Sequence, residues 1–144
     1  MKVLFDTSVL VAAIVESHTR HEAARLWLEQ AQAGLVGYVV SAHTLAELFS
    51  VLSTLPTSPR PTPALARRLV YENVERGARV VPLSRRDYSA VLRDMADLGL
   101  SGGVVYDALV ARAAQKAKVD RLLTLNPGDF RRVWPAGERI IASP

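Results

Sequence analysis

Four carboxylates in this chain stand where chemistry can be done. Asp6 ends the apolar run Val3-Leu4-Phe5 and is followed by two hydroxyls, Thr7 and Ser8. Glu47 sits within the apolar set Leu45, Ala46, Leu48, Phe49, Val51 and Leu52. Asp107 lies among Val104, Val105, Ala108, Leu109 and Ala111, and Asp129 follows the turn Asn126-Pro127-Gly128. A carboxylate in apolar surroundings is costly unless something pairs with it, and no base is obvious near Asp107. Two plain alternatives stand beside this reading. Asp after a strand often only caps the next helix, and Glu47 can occupy a polar side of its helix with His43, Thr44 and Ser50. Acids that converge without matching bases call for a hard cation, Mg²⁺ or Mn²⁺, held by a few carboxylates and waters. Such a site hydrolyses phosphodiesters, because the ion orients the phosphate, activates water and stabilises the leaving oxygen.

Convergence depends on the elements that carry these acids. Val3-Leu4-Phe5 reads as a short buried strand, and Thr7 or Ser8 can cap a helix over Val9–Ile14. Thr19 and Glu22 have capping-box spacing for a helix that Gly34 ends. His18 and His21 beside them lack the third ligand of a metal site and read as surface or RNA-facing. A second strand is expected over Val36–Val40, then a helix from Ala42 to Leu52 capped by Ser41. The Pro-rich connection Pro56–Pro63 leads to a helix over Ala64–Arg76. A third strand, Arg79–Leu83, precedes a helix over Arg85–Asp97 capped by Ser84 and stopped by Gly99. The helix Val104–Lys118 is expected to turn Arg112 and Lys116 to solvent and Asp107 inward, since they lie on opposite sides at about 100° per residue. Arg121–Leu125 is a fourth strand, Asn126–Phe130 a turn, and Arg139–Ala142 a last short strand. Strands alternating with helices predict a parallel sheet covered on both faces. Ligands of such sheets bind at the carboxyl ends of the strands, which is where Asp6 falls.

The chain has 144 residues, 49% of them hydrophobic, enough for one domain, residues 1–144, with a real core. No apolar run approaches the ~18 residues that span a bilayer. Lys2 is followed by only three apolar residues before Asp6, so no signal peptide is expected, and the expectation is a cytoplasmic protein. The absence of cysteine excludes disulfides, Cys-based zinc sites and thiol nucleophiles. The net charge of +4 is uneven: residues 1–59 carry −2 and residues 60–144 carry +6. A basic half suits a polyanion such as RNA, with Arg20, Arg131 and Arg132 as candidate contacts, although scattered arginines also merely solubilise helices.

The order Asp6-Thr7-Ser8, then Glu47 within Thr44-Leu45-Ala46-Glu47-Leu48, then Tyr106-Asp107-Ala108-Leu109-Val110-Ala111, then Thr124-Leu125-Asn126-Pro127-Gly128-Asp129-Phe130 resembles a PIN domain. Within that family the chain is most similar to VapC-type toxins of bacterial and archaeal toxin–antitoxin pairs, from residue 1 to about residue 132. The resemblance implies a three-layer α/β/α sandwich around a parallel sheet. It implies a Mg²⁺- or Mn²⁺-dependent endoribonuclease, neutralised by a cognate antitoxin, that commonly forms homodimers. It implies Asp6 and Asp107 as principal metal ligands, Glu47 as a third acid, and Asp129 as a fourth carboxylate. Asn126 stands where many members have another acid, which leaves the part played by Asp129 open. Two other readings compete. One is a catalytically weak PIN-like module that only binds RNA or assembles. The other is a phosphate-transfer α/β protein of the receiver or phosphatase type, which needs a second acid beside the first or a lysine after a late strand; this chain supplies neither.

Overall fold

The computed structural model describes residues 1–144. Strand β1 (Lys2–Phe5) lies in the middle of a five-stranded sheet. It is flanked by β2 (Gly37–Ser41) and β4 (Arg121–Leu123), with β3 (Arg79–Val81) and β5 (Ile141–Ala142) at the edges, in the order β3-β2-β1-β4-β5. Every neighbouring pair is parallel. Because successive side chains leave opposite faces of a strand, Val3, Phe5, Tyr38, Val40 and Leu123 enter one core and Leu4, Val39, Val81 and Leu122 the other. The first face is covered by α1 (Thr7–Ile14), α2 (His21–Gln32), α3 (Ala42–Ser53) and α4 (Pro63–Val70). The second is covered by α5 (Arg85–Leu98), α6 (Val104–Ala117) and α7 (Pro127–Val133). The result is the expected three-layer α/β/α sandwich. No helix is long and apolar enough to cross a membrane.

The strand order places a crevice. From β1 the chain moves outward through β2 to β3, then returns to the other side of β1 for β4 and β5. The reversal falls between β1 and β4, and open parallel sheets present their ligand crevice at such a switch point.

Several boundaries differ from the sequence expectations. The fourth strand stops at Leu123: the Thr124 N–H still donates to the Ala142 carbonyl of β5, but its hydroxyl turns to Asp6 and the Leu125 N–H to Ser8 Oγ. Asn126–Phe130 is not a free turn: Pro127 opens α7, a first-turn position that needs no amide donor. Helix α2 begins at His21 after Arg20, with no side-chain cap, so the Thr19–Glu22 box does not form. Neither Thr7 nor Ser8 caps α1; the cap position belongs to Asp6, whose side chain makes no capping bond. The helix expected over Ala64–Arg76 loosens into a π-helical turn at Tyr71–Glu75. There the buried Tyr38 hydroxyl donates to the Asn73 carbonyl at 3.0 Å, and the Asn73 amide donates to the Leu69 carbonyl at 2.9 Å.

The largest departure concerns Arg112 and Lys116. They do not simply face solvent; they reach across to Asp87 on α5. Arg112 Nε donates to Oδ1 at 3.0 Å and Lys116 Nζ to Oδ2 at 2.8 Å. Asp87 also closes a capping box with Ser84, accepting from its backbone N–H at 2.8 Å while its own N–H donates to Ser84 Oγ at 3.2 Å. The lysine, the cap and the arginine hold the Asp87 carboxyl well below the usual carboxylate range. A group depressed in this way contributes stability that is present above its unfolded value near 4 and is lost as the pH falls through the folded one. Asp87→Asn is therefore expected to cost on the order of 2 kcal/mol at neutral pH and to flatten the loss of stability below about pH 4. Thermal denaturation from pH 7 down to pH 3 reads both effects; an unchanged acid limb would show that the network does not link α5 to α6 energetically.

Candidate active site

At the carboxyl end of β1, the Asp6 backbone N–H still donates to the Leu123 carbonyl of β4, at 2.9 Å. The Asp6 carboxylate is buried, with 4% of the residue exposed. Ser8 Oγ donates to its Oδ2 at 2.6 Å, and Thr124 Oγ1 donates to the same oxygen at 2.9 Å. Each hydroxyl also accepts a backbone N–H, Ser8 from Leu125 and Thr124 from Asn126, both at 3.0 Å. One carboxylate oxygen is thus fixed by a small lattice that ties the ends of β1 and β4 together. The other has no side-chain donor. Burial, with a smaller push from the Glu47 charge, raises the Asp6 carboxyl above its ordinary value, against the pull of the two hydroxyls.

Asp107 lies in the first turn of α6, half-buried. No hydrogen bond or counter-charge stabilises its ionised form. Burial first, then the charges of Asp6, Asp129 and Glu47, push its carboxyl up to about 7. Asp6 and Asp107 line one open cavity of about 400 Å³ together with Thr7, Ser8, His18, Glu47 and Asn126. The Thr7 hydroxyl is buried in that lining without a hydrogen-bond partner.

Glu47 reaches the cavity from α3, the helix that follows β2, but its carboxylate is shared. His43 Nε2 lies 3.0 Å from Glu47 Oε2, and the His43 ring stacks on Tyr106, with centroids 5.2 Å apart and planes 2° from parallel. Asp129 is placed differently. It stands on α7 outside the cavity lining, about half exposed, with Arg132 at 3.5 Å, and it acts on Asp107 through its charge. Asn126 occupies the lining instead. Of the arginines singled out for RNA, Arg20 donates to the Pro144 carbonyl at 2.7 Å and Arg132 pairs with Asp129. His18 lines the cavity, whereas His21 turns its ring to the Ala12 carbonyl at 2.9 Å.

As arranged, no three His, Asp or Glu side chains are grouped closely enough to enclose a metal ion. The chemistry of the donors nonetheless suits a hard divalent cation. Two carboxylates share a cavity lined by no lysine or arginine, both are raised by burial and by neighbouring acids, and a third acid, Glu47, lines it with them. Sequence reasoning placed Thr124 in the last motif without giving it a role, which shows only through its contact with Asp6. Nor did it find the His43–Tyr106 stack, which joins residues of two different helices.

Comparison with known proteins gives the family and the fold. Residues 3–134 match the PIN domain family. The chain is 40% identical over 115 residues to ribonuclease VapC27 of Mycobacterium tuberculosis (strain ATCC 25618 / H37Rv), covering 80% of this chain and 78% of that protein. It is 34% identical over 119 residues to ribonuclease VapC40 of Mycobacterium tuberculosis (strain CDC 1551 / Oshkosh), covering 83% and 82%. Two solved structures share the fold. The Mycobacterium tuberculosis toxin VapC20, described as cleaving the sarcin-ricin loop, superposes with a TM-score of 0.64 at 17% identity over 84% of this chain and 87% of its own. VapBC2 of Rickettsia felis, bound to a DNA fragment from its promoter, gives a TM-score of 0.64 at 19% identity over 100% and 99%. With the parallel sandwich, the acids at its switch point and these relatives taken together, the chain belongs to the PIN-domain family as a nuclease of the VapC ribonuclease type.

Proposed function

We propose that this protein is a Mg²⁺- or Mn²⁺-dependent endoribonuclease, the toxin of a cytoplasmic VapBC-type pair, whose metal site is formed by Asp6, Asp107 and Glu47. The observation that carries this reading is the pair Asp6 and Asp107, two acids with raised carboxyls in one cavity whose lining contains no lysine or arginine. A divalent ion bound there supplies Lewis-acid polarisation of a phosphodiester and activation of the attacking water. The chain's own groups do the rest. Ser8 and Thr124 fix one oxygen of Asp6 and so present the other. Asp107 keeps a carboxylate without donors at the opposite wall. Glu47, hydrogen-bonded only to His43, is the acid free to turn inward and serve as third ligand or orient water. Asn126 offers an amide to the substrate side of the cavity, and Asp129 tunes Asp107 by its charge.

A VapB-type antitoxin is the partner this reading requires, by analogy with the VapBC pair among the structural neighbours. A second copy of the chain is the other: Phe49 on α3 and Leu65 on α4 are exposed apolar side chains suited to a homodimer face. The RNA substrate meets the basic half of the chain, where Arg131 and Arg132 follow Asp129.

Cleavage of RNA by the purified protein is expected to require Mg²⁺ or Mn²⁺ and to stop in EDTA. Either ion should raise the melting temperature, since it binds only the folded state. Asp6→Ala and Asp107→Ala should each lower cleavage by at least about a hundredfold with unchanged circular dichroism. Undiminished cleavage in EDTA, or by folded Asp107→Ala, would place the chemistry elsewhere.

The metal-free protein carries a pH signature of the same site. A carboxyl raised on folding contributes stability that is fully present below its unfolded value near 4 and is lost as the pH rises through the folded one, here about 7 for Asp107. In EDTA the melting temperature should therefore fall as the pH rises from about 4 to about 7, and Asp107→Asn should flatten that fall and melt higher above about pH 7. A flat wild-type profile would mean the acids already have partners.

Inhibition follows from the same electrostatics. An arginine in the antitoxin's C-terminal segment can pair bidentately with these carboxylates and compete with the ion. A peptide of that segment alone is expected to inhibit cleavage, and its arginine-to-alanine form to inhibit less. A peptide that bound without affecting cleavage of a small RNA would place inhibition away from the acids.

A further inference from the structure

The stacked pair His43–Tyr106 lies outside the lining of the acidic cavity and is joined to two of its acids. Tyr106 immediately precedes Asp107 on α6, and His43 holds Glu47 from α3 at 3.0 Å. The two rings are parallel within 2° at a centroid separation of 5.2 Å, the offset geometry aromatic pairs prefer. One face of Tyr106 is covered by His43, while 53% of the residue remains exposed. The ring is therefore both open and oriented before anything binds, which lowers the entropy cost of a further stacking partner. Unpaired nucleobases are such partners: proteins that hold single-stranded RNA splay its bases onto aromatic faces.

We infer that Tyr106, backed by His43, is a stacking subsite for one unpaired nucleobase of an RNA whose neighbouring phosphate lies at Asp6 and Asp107. The inference deepens the nuclease reading and rests on it for the identity of the ligand. The subsite selects flexible single strands and loops over duplex, because a paired base cannot leave its stack to reach the ring without an unstacking cost. An aromatic plane reads every base alike, so the preference is for an accessible base rather than a particular one. Tyr106 acts here as a binding residue; the acids remain the reactive groups.

The test is made on the full chain in EDTA, where no cleavage intervenes, with a short single-stranded RNA carrying 2-aminopurine, whose fluorescence is quenched on stacking. The wild-type protein is expected to quench the probe. Tyr106→Ala should lose the quench and bind roughly tenfold more weakly, while Tyr106→Phe and Tyr106→Trp keep both. With Mg²⁺ or Mn²⁺ present, the loss in Tyr106→Ala should fall mainly on KM for single-stranded RNA. A folded Tyr106→Ala protein that quenched and bound as wild type would overturn the subsite. So would a variant that weakened binding of duplex and single-stranded RNA equally, since a ring that only staples α3 to α6 has no means of telling them apart. Failure of the nuclease reading is a separate result: the wild-type protein with metal would leave RNA intact, and the metal-free quench would still report on Tyr106.

Discussion

The Asp6 carboxylate is held by two hydroxyls, one near in the chain and one far, Ser8 two residues ahead and Thr124 at the end of a strand 118 residues away. This arrangement constrains everything around it. To receive both bonds on one oxygen, β1 and β4 must be neighbours in a fixed parallel register, which the pairing of Phe5 with Leu123 provides. Ser8 must face backward from the first turn of α1, and the Thr124 side chain must turn to Asp6 where β4 ends. The hydroxyls stabilise the ionised acid without neutralising it. A lysine in place of either would satisfy the charge and close the site.

The same residue type meets the opposite fate on the other side of the sheet. Asp87 and Asp107 lie on adjacent, packed helices, α5 and α6. Asp87 receives Arg112, Lys116 and the Ser84 cap, and its carboxyl is driven down. Asp107 is one to three turns from those cations on the same helix, receives neither, and is driven up to about 7. Helical phase makes the separation: Arg112 and Lys116 project toward α5, and Asp107 projects toward α3 and the end of β1. One acid stabilises the fold, and the other is left unsatisfied at the cavity. A strongly raised carboxyl in a cleft, with no structural partner to explain it, is a mark of a functional group rather than of a packing one.

Much of this was legible in the sequence. Short apolar runs ending in turn residues identify the strands, and strand–helix alternation gives the layered parallel sheet. The places of Asp6, Glu47 and Asp107 follow from the elements that carry them. What was not legible is what depends on the phase between distant elements. The solvent face assigned to Arg112 and Lys116 is correct in direction around α6, yet α5 packs beside it and supplies Asp87. The Thr19–Glu22 spacing fits a capping box, but the packing of His21 against the Ala12 carbonyl starts the helix later. Asn126-Pro127-Gly128-Asp129 has the composition of a turn and forms one end of α7 instead, which carries Asp129 away from the cavity lining. Thr124 reads in sequence as an ordinary strand residue; only the register of β4 on β1 brings its hydroxyl to Asp6.

The three acids of the cavity differ in how firmly they are held, and the difference has a physical logic. Asp6 is rigid, fixed by two hydroxyls and the strand beneath it. Asp107 is placed by α6 but has no donor of its own. Glu47 has 37% of its side chain open, and its one bond is to a ring on the same helix. Asp6 is thus held in place while Asp107 stays unsatisfied, and the sheet beneath, with its two buried faces, is what allows the fold to tolerate an uncompensated acid.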